Sequence, residues 1–163
     1  MCRISVIICT HNPREDYLRR TLEALRGQTL PMEQWELLLI DNGSEKALST
    51  QVDLSWHLHG RMMQEERLGK MFAWVKGLKE AGGDIFVFVD DDNVWAPDYL
   101  VQALSIAQEW PFVGAWGESV EPEFESPPPS WIWDNIWRLS VGEVEEAVWS
   151  NLREGFATKP LGA

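Results

Sequence analysis

Basic residues and cysteines are scarce in this chain. Against 26 Asp and Glu stand only 14 Lys and Arg, for a formal net charge of −12 and a pI near 4.6. That balance argues against nucleic acid and anionic membrane as direct partners, because a surface of the wrong sign repels phosphates. The two cysteines, Cys2 and Cys9, stand at the two ends of one predicted strand, so they cannot meet and no disulfide is expected. A reducing compartment fits, either free in the cytoplasm or at the inner face of the membrane in a full-length form. No apolar run approaches the length that spans a bilayer, and strand-like residues from Ile4 leave no signal peptide at the start. No internal repeat is visible. What is present is 163 residues with 45% apolar content, enough for one domain with a core, and ten tryptophans, five of them after Trp110.

The stretch from Asp84 to Tyr99 organises the rest. Ile85 to Val89 is an unbroken run of β-branched and aromatic residues, which reads as a strand buried on both faces of a mostly parallel sheet. Its end delivers three consecutive carboxylates, Asp90, Asp91 and Asp92; along an extended chain Asp90 and Asp92 point one way and Asp91 the other. Three adjacent acids repel one another unless a cation compensates, and hard divalent ions bridge carboxylates to phosphates. A solvated acidic turn is the plain alternative for such a triplet, but its place after a buried strand favours a metal-phosphate site. A Ca²⁺ loop would need further oxygen ligands and a glycine where Val94, Trp95 and Ala96 stand. A phosphatase-type aspartate would follow the first strand instead.

Ile4 to Cys9 and Trp35 to Ile40 read as two further buried strands, ending in Thr10-His11-Asn12-Pro13 and Asp41-Asn42-Gly43-Ser44. Helices are predicted over 17–26, over 70–81 with Phe72, Val75, Leu78 and Lys79 on the inward face, and over 97–109. Between 45 and 64 the pattern is weak, with a marginal strand near Trp56 or Met62. Alternating strands and helices argue for a parallel α/β sheet. Three strand ends then collect polar groups on one sheet edge. Each alone is weak: Asp-Asn-Gly-Ser is ordinary turn chemistry, and a lone His11 is ordinarily a loop histidine. Together they are more specific.

The segments Ser-Val-Ile-Ile-Cys-Thr-His-Asn, Leu-Leu-Ile-Asp-Asn-Gly-Ser, Gly77 through Asp84 and Phe-Val-Asp-Asp-Asp-Asn resemble, in order from Ile4 to about Tyr99, the nucleotide-sugar half of a family 2 glycosyltransferase. The resemblance implies a three-layer α/β sandwich with a mostly parallel central sheet, the Rossmann-like nucleotide-binding half of the GT-A fold. It implies a nucleoside-diphosphate sugar, with UDP favoured, as donor and Mn²⁺ or Mg²⁺ as cofactor. Thr10, His11 and Asn12 fall where the family's first loop contacts the nucleotide, and Asp41 where an aspartate reads the base. The acidic motif falls on Asp90-Asp91-Asp92, with Asp92 and then Asp90 implied as metal ligands and Asp90 or Asp91 nearer the ribose. Many relatives carry Ala-Arg-Asn where this chain has Ala73-Trp74-Val75, which leaves Lys70 or Lys76 in place of the missing arginine.

The resemblance also implies an inverting transfer to an unknown hydroxyl acceptor and a chain truncated before its acceptor half. Residues 1–163 then form a single truncated domain, with a nucleotide-sugar and metal-binding core over 1–118 and the start of the acceptor side over 119–163. On that reading the catalytic base lies beyond Ala163, the chain is inactive in transfer alone, and Glu118, Glu121 and Glu123 are not assigned as the base. The tryptophans from Trp131 to Trp149 are expected to be left uncovered and to drive association into a homo-oligomer. A rival reading is a non-catalytic nucleotide-binding module that regulates or scaffolds another enzyme. A nucleotidyltransferase would want a Gly-rich basic loop after the first strand, and Thr10-His11-Asn12-Pro13 is not one.

Overall fold

The computed structural model describes residues 3–117 and 120–136. The chain divides into two compact units, Met1–Pro111 and Phe112–Ala163. The first unit holds four parallel strands in the order β3-β2-β1-β4: β1 (Ile4–Thr10), β2 (Trp35–Asp41), β3 (Gly60–Gln64) and β4 (Ile85–Val89). Three helices complete it, α1 (Glu15–Arg26), α2 (Lys70–Glu80) and α3 (Tyr99–Glu109). This is an α/β fold built on a parallel sheet.

The strands β1 and β2 form because their runs of Val, Ile and Leu are buried on both faces, and they pair in register from Ile4↔Trp35 to Thr10↔Asp41. Connections β1–α1–β2 and β2–β3 run to one side of β1, whereas β3–α2–β4 crosses back over it. Parallel crossovers share one hand, so this reversal places α1 and α2 on opposite faces. Ile7, Leu38 and Ile40 meet Ala73 of α2 on one face, while Ile4, Val6 and Ile8 are sealed on the other. The α3 side joins α1: the Gln28 side chain donates to the Ala96 carbonyl at 2.7 Å and accepts from the Leu100 N–H at 3.0 Å.

Two expectations fail here. The inward face of α2 is not Phe72, Val75 and Leu78, which are exposed; Ala73 and Gly77 are buried instead. The helix lies so close to the sheet that a Cβ on Gly77 would sit 2.6 Å from Cγ2 of Ile7, so only the smallest side chains fit between them. Nor is β4 buried on both faces. It stands at the edge of the described sheet, with Val87 and Val89 buried but Phe86 44% and Phe88 37% exposed on the opposite face. Trp74 lies against Phe88 at 4.7 Å between ring centroids and covers part of that face.

At the far end of the strands Glu36 is buried and satisfied by Ser5 Oγ (2.6 Å), the Gly82 N–H (2.6 Å) and Arg61 (2.9 Å). Burial pushes its carboxyl upward, but these donors outweigh burial and hold it below the usual carboxylate range. His57 packs edge-on to Trp35 with centroids 4.1 Å apart, and its Nδ1 accepts the His59 N–H at 3.1 Å. The ring proton is therefore on Nε2, which is buried and has no partner among the described residues. Burial first, and then His59, push His57 down to about 4 from 6.5. A histidine held neutral in the folded state contributes stability that is fully present above pH 6.5 and is lost as pH falls toward 4. Urea melts between pH 7 and 4.5 should lose about 2 kcal/mol through this group. His57→Phe should flatten that part of the profile; an unchanged slope would rule out His57 as its source.

In the second unit α4 (Ser130–Trp133) follows the Pro127-Pro128-Pro129 run, and Phe124 meets Trp133 edge-on at 5.5 Å. Trp131 and Trp133 are 61% and 56% exposed. Trp137, Trp149 and Glu118 lie outside the described residues, as does the expected helical content beyond residue 136.

Candidate nucleotide and metal site

The reversal of strand order puts the C-terminal ends of β1 and β4 side by side, the place where open α/β sheets leave a crevice. A cleft of about 330 Å³ opens there, lined by Cys9, Thr10, His11, Asn42, Lys70, Ala73, Asp90, Asp91 and Asp92. Six of the eight residues singled out from the sequence thus line one cavity; Asn12 and Asp41 do not. Lys76 does not line it either.

The acidic triplet is not extended strand. β4 ends at Val89 and Asp91-Asp92 form a turn, so the expected alternation stops there. The three carboxylates have different surroundings. Asp90 Oδ1 is paired with Lys70 Nζ at 2.6 Å. Asp91 accepts from Thr10 Oγ1, while its backbone carbonyl accepts from Thr21 of α1 at 3.0 Å, which fastens the turn to β1 and α1. Asp92 is exposed and has no hydrogen bond or ion pair among the described residues.

Asp41 is buried, and its carboxylate accepts the N–H groups of Ser44 (2.9 Å) and Leu48 (3.3 Å). It braces its own turn. Its neighbour Asn42, which sequence reasoning passed over, is the junction of the site. Its Nδ2 donates to the carbonyls of Glu65 (3.1 Å) and Arg67 (2.7 Å), and its Oδ1 accepts from Gly69 N–H at 2.8 Å. Its backbone N–H donates to Thr10 at 2.8 Å, and its carbonyl accepts from His11 Nδ1 at 2.8 Å. A carbonyl only accepts, so His11 carries its proton on Nδ1, and Nε2 faces the Asn12 amide at 3.1 Å. Asn12 adopts φ +49°, a left-handed conformation that Asn tolerates, and its Oδ1 accepts the Glu45 N–H at 2.8 Å.

Gly69 precedes α2 at φ +131°, which only glycine adopts without strain. The helix has no side-chain cap and no acid in its first turn, so its free N–H groups and Lys70 bring positive charge to the cleft together. Glu65 is engaged by Arg67 at 2.8 Å, which holds its carboxyl down to about 2. Burial pushes the Cys9 thiol up to about 12, so it lines the cleft as an uncharged group and not as a nucleophile.

Among the described residues no three His, Cys, Asp or Glu side chains converge into a cage for an ion. The three carboxylates at the cleft nonetheless suit a hard cation, with Asp92 unengaged among the described residues, as for ions held by one or two carboxylates plus phosphate oxygens.

The sequence model of the glycosyl transferase family 2 matches residues 5–159. The chain belongs to that family. A curated relative, Glycosyltransferase AglE of Haloferax volcanii, is 30% identical over 92 residues, covering 55% of this chain and 30% of its own length. TarS 1-349 of S. aureus, solved in complex with UDP, superposes with TM-score 0.66 at 25% identity, covering 78% of this chain and 38% of that one. A mannosyltransferase from Pyrobaculum calidifontis, solved with GDP-Man and Mn²⁺, gives TM-score 0.60 at 26% identity over 74% of this chain and 36% of that one. The chain spans under half the length of the curated relatives it matches. Among the described residues no helix is long and apolar enough to cross a membrane.

Proposed function

We propose that this chain is the donor-binding part of a glycosyltransferase that takes a nucleoside-diphosphate sugar together with Mn²⁺ or Mg²⁺. The observation that carries this reading is the cleft in which Asp90, Asp91 and Asp92 face the Thr10-His11 loop across from the first turn of α2. The UDP bound to TarS and the GDP-Man and Mn²⁺ bound to the mannosyltransferase support the ligand class. Asp92, and Asp90 once released from Lys70, would hold the ion, which when bound neutralises charge on a diphosphate leaving group. Thr10 and Thr21 hold the acidic turn in place through Asp91, so that residue positions the turn before it contacts ribose. Lys70 and the first turn of α2 bring positive charge toward the diphosphate, in place of the arginine absent at Trp74. Asp41 acts on the base only through the turn it braces.

Transfer proceeds with inversion to a hydroxyl of an acceptor glycan, lipid or other compound, and no described residue is assigned as its base. The rival reading as a non-catalytic module rests on Trp74, but that ring covers Phe88 of the sheet. Titration calorimetry with uridine diphosphate, and in parallel guanosine and thymidine diphosphates, should give heat with Mn²⁺ and little in chelator. Equal binding in both would count against the reading.

A further inference from the structure

We propose that Lys70 is an exchangeable counter-ion: it neutralises Asp90 before ligands arrive and passes to the diphosphate when a divalent cation takes the Asp90 carboxylate. The inference rests on the donor-binding reading above and adds a competition within it. Among the described residues lining the cleft Lys70 is the one cationic side chain, against three carboxylates. Its Nζ lies 2.6 Å from Asp90 Oδ1, with both side chains about half exposed, so the pair is cheap to break.

Lys70 also stands in the first turn of α2, the end at which the helix dipole repels a cation. An incoming anion relieves that repulsion, whereas Asp90 alone must offset it beforehand. The Nζ also lies 5.2 Å from the Trp74 ring centroid, one turn along the same helix, a cation–π contact that at an exposed site is weak and does not fix the ammonium on one partner. An ammonium is a compact point charge with rotatable donors, so it moves between carboxylate and phosphate without the geometric demand of a guanidinium fork.

Exchange requires opposite signs for the two ligands. Lys70 competes with the cation for Asp90 and assists the nucleotide, so the nucleotide must raise cation affinity by drawing Lys70 away. Mn²⁺ alone, and uridine diphosphate in saturating Mn²⁺, are titrated into the wild-type chain, Lys70→Met and Lys76→Met. Lys70→Met keeps an unbranched side chain without the charge and should tighten Mn²⁺ binding about threefold, the scale of an exposed pair. The same variant should weaken uridine diphosphate about tenfold, the scale of a charge-assisted hydrogen bond, and melt no lower than wild type. Lys76→Met removes the same charge from the same helix outside the cleft and should change neither affinity. Weaker or unchanged Mn²⁺ binding in Lys70→Met overturns the exchange, as does an equal gain in Lys76→Met, which would reduce the effect to net charge. A wild-type chain that binds neither ion nor nucleotide overturns the reading of the site itself, and the exchange with it.

Discussion

Asp92→Ala is expected to abolish the Mn²⁺-dependent part of uridine diphosphate binding, so that titrations in Mn²⁺ and in chelator superimpose. The three aspartates are unequal. Asp91 is committed to Thr10, and Asp90 to Lys70, whereas Asp92 has no partner among the described residues. A methyl cannot replace a carboxylate ligand, and the loss should be at least about tenfold, the scale of one charge-assisted contact. The fold should not suffer. Removing one of three neighbouring like charges relieves repulsion, so the melting temperature should hold or rise. A variant that binds normally in Mn²⁺ would remove Asp92 from the site, and one that melts early would make it a structural residue instead.

Gly77→Val should produce the largest loss of stability. Its Cβ would fall 2.6 Å from Ile7 Cγ2 and within 3.7 Å of Ile40 Cγ1, on the two central strands, where both side chains are fully buried. A glycine inside a helix costs about 1 kcal/mol relative to alanine, so propensity alone favours replacing it. Overpacking a close contact costs more, about 1–3 kcal/mol for the first added methylenes, and valine adds branching. A net loss of about 2–4 kcal/mol and a melting temperature lower by ~5–15 °C follow. Met71→Ala on the exposed side of the same helix should stay within about 0.5 kcal/mol. If both variants melt alike, α2 does not sit on its small residues.

That contact explains why one face of α2 was misread. Helical periodicity looks for large apolar residues and found Phe72, Val75 and Leu78, but a helix seated close to a sheet packs through its smallest ones. β1 and β2 were legible because unbroken Val, Ile and Leu runs are buried on both faces in a parallel sheet. β4 carries the same kind of run, and nothing within it distinguishes a central strand from an edge whose phenylalanines face outward. The acidic turn and the Thr10-His11 loop could be placed at one sheet edge because parallel strands present the same end together. Asn42 could not be found, since Asp-Asn-Gly-Ser reads as turn chemistry and its partners lie 23 and more residues away in the β3–α2 connection. The buried Asp41 carboxylate was equally illegible: it accepts two N–H groups from the loop that follows it.

The Asn42 junction bears on the thermodynamics of ligand capture. One amide and its flanking peptide groups tie the β1 loop, the β2 turn and the connection into α2. Those walls are ordered when the chain folds, so their conformational entropy is spent then and not at each encounter with the proposed donor. Capture at such a site is preorganised. The freedom left to lose includes that of the exposed Asp92 and Lys70 side chains and of the ligand.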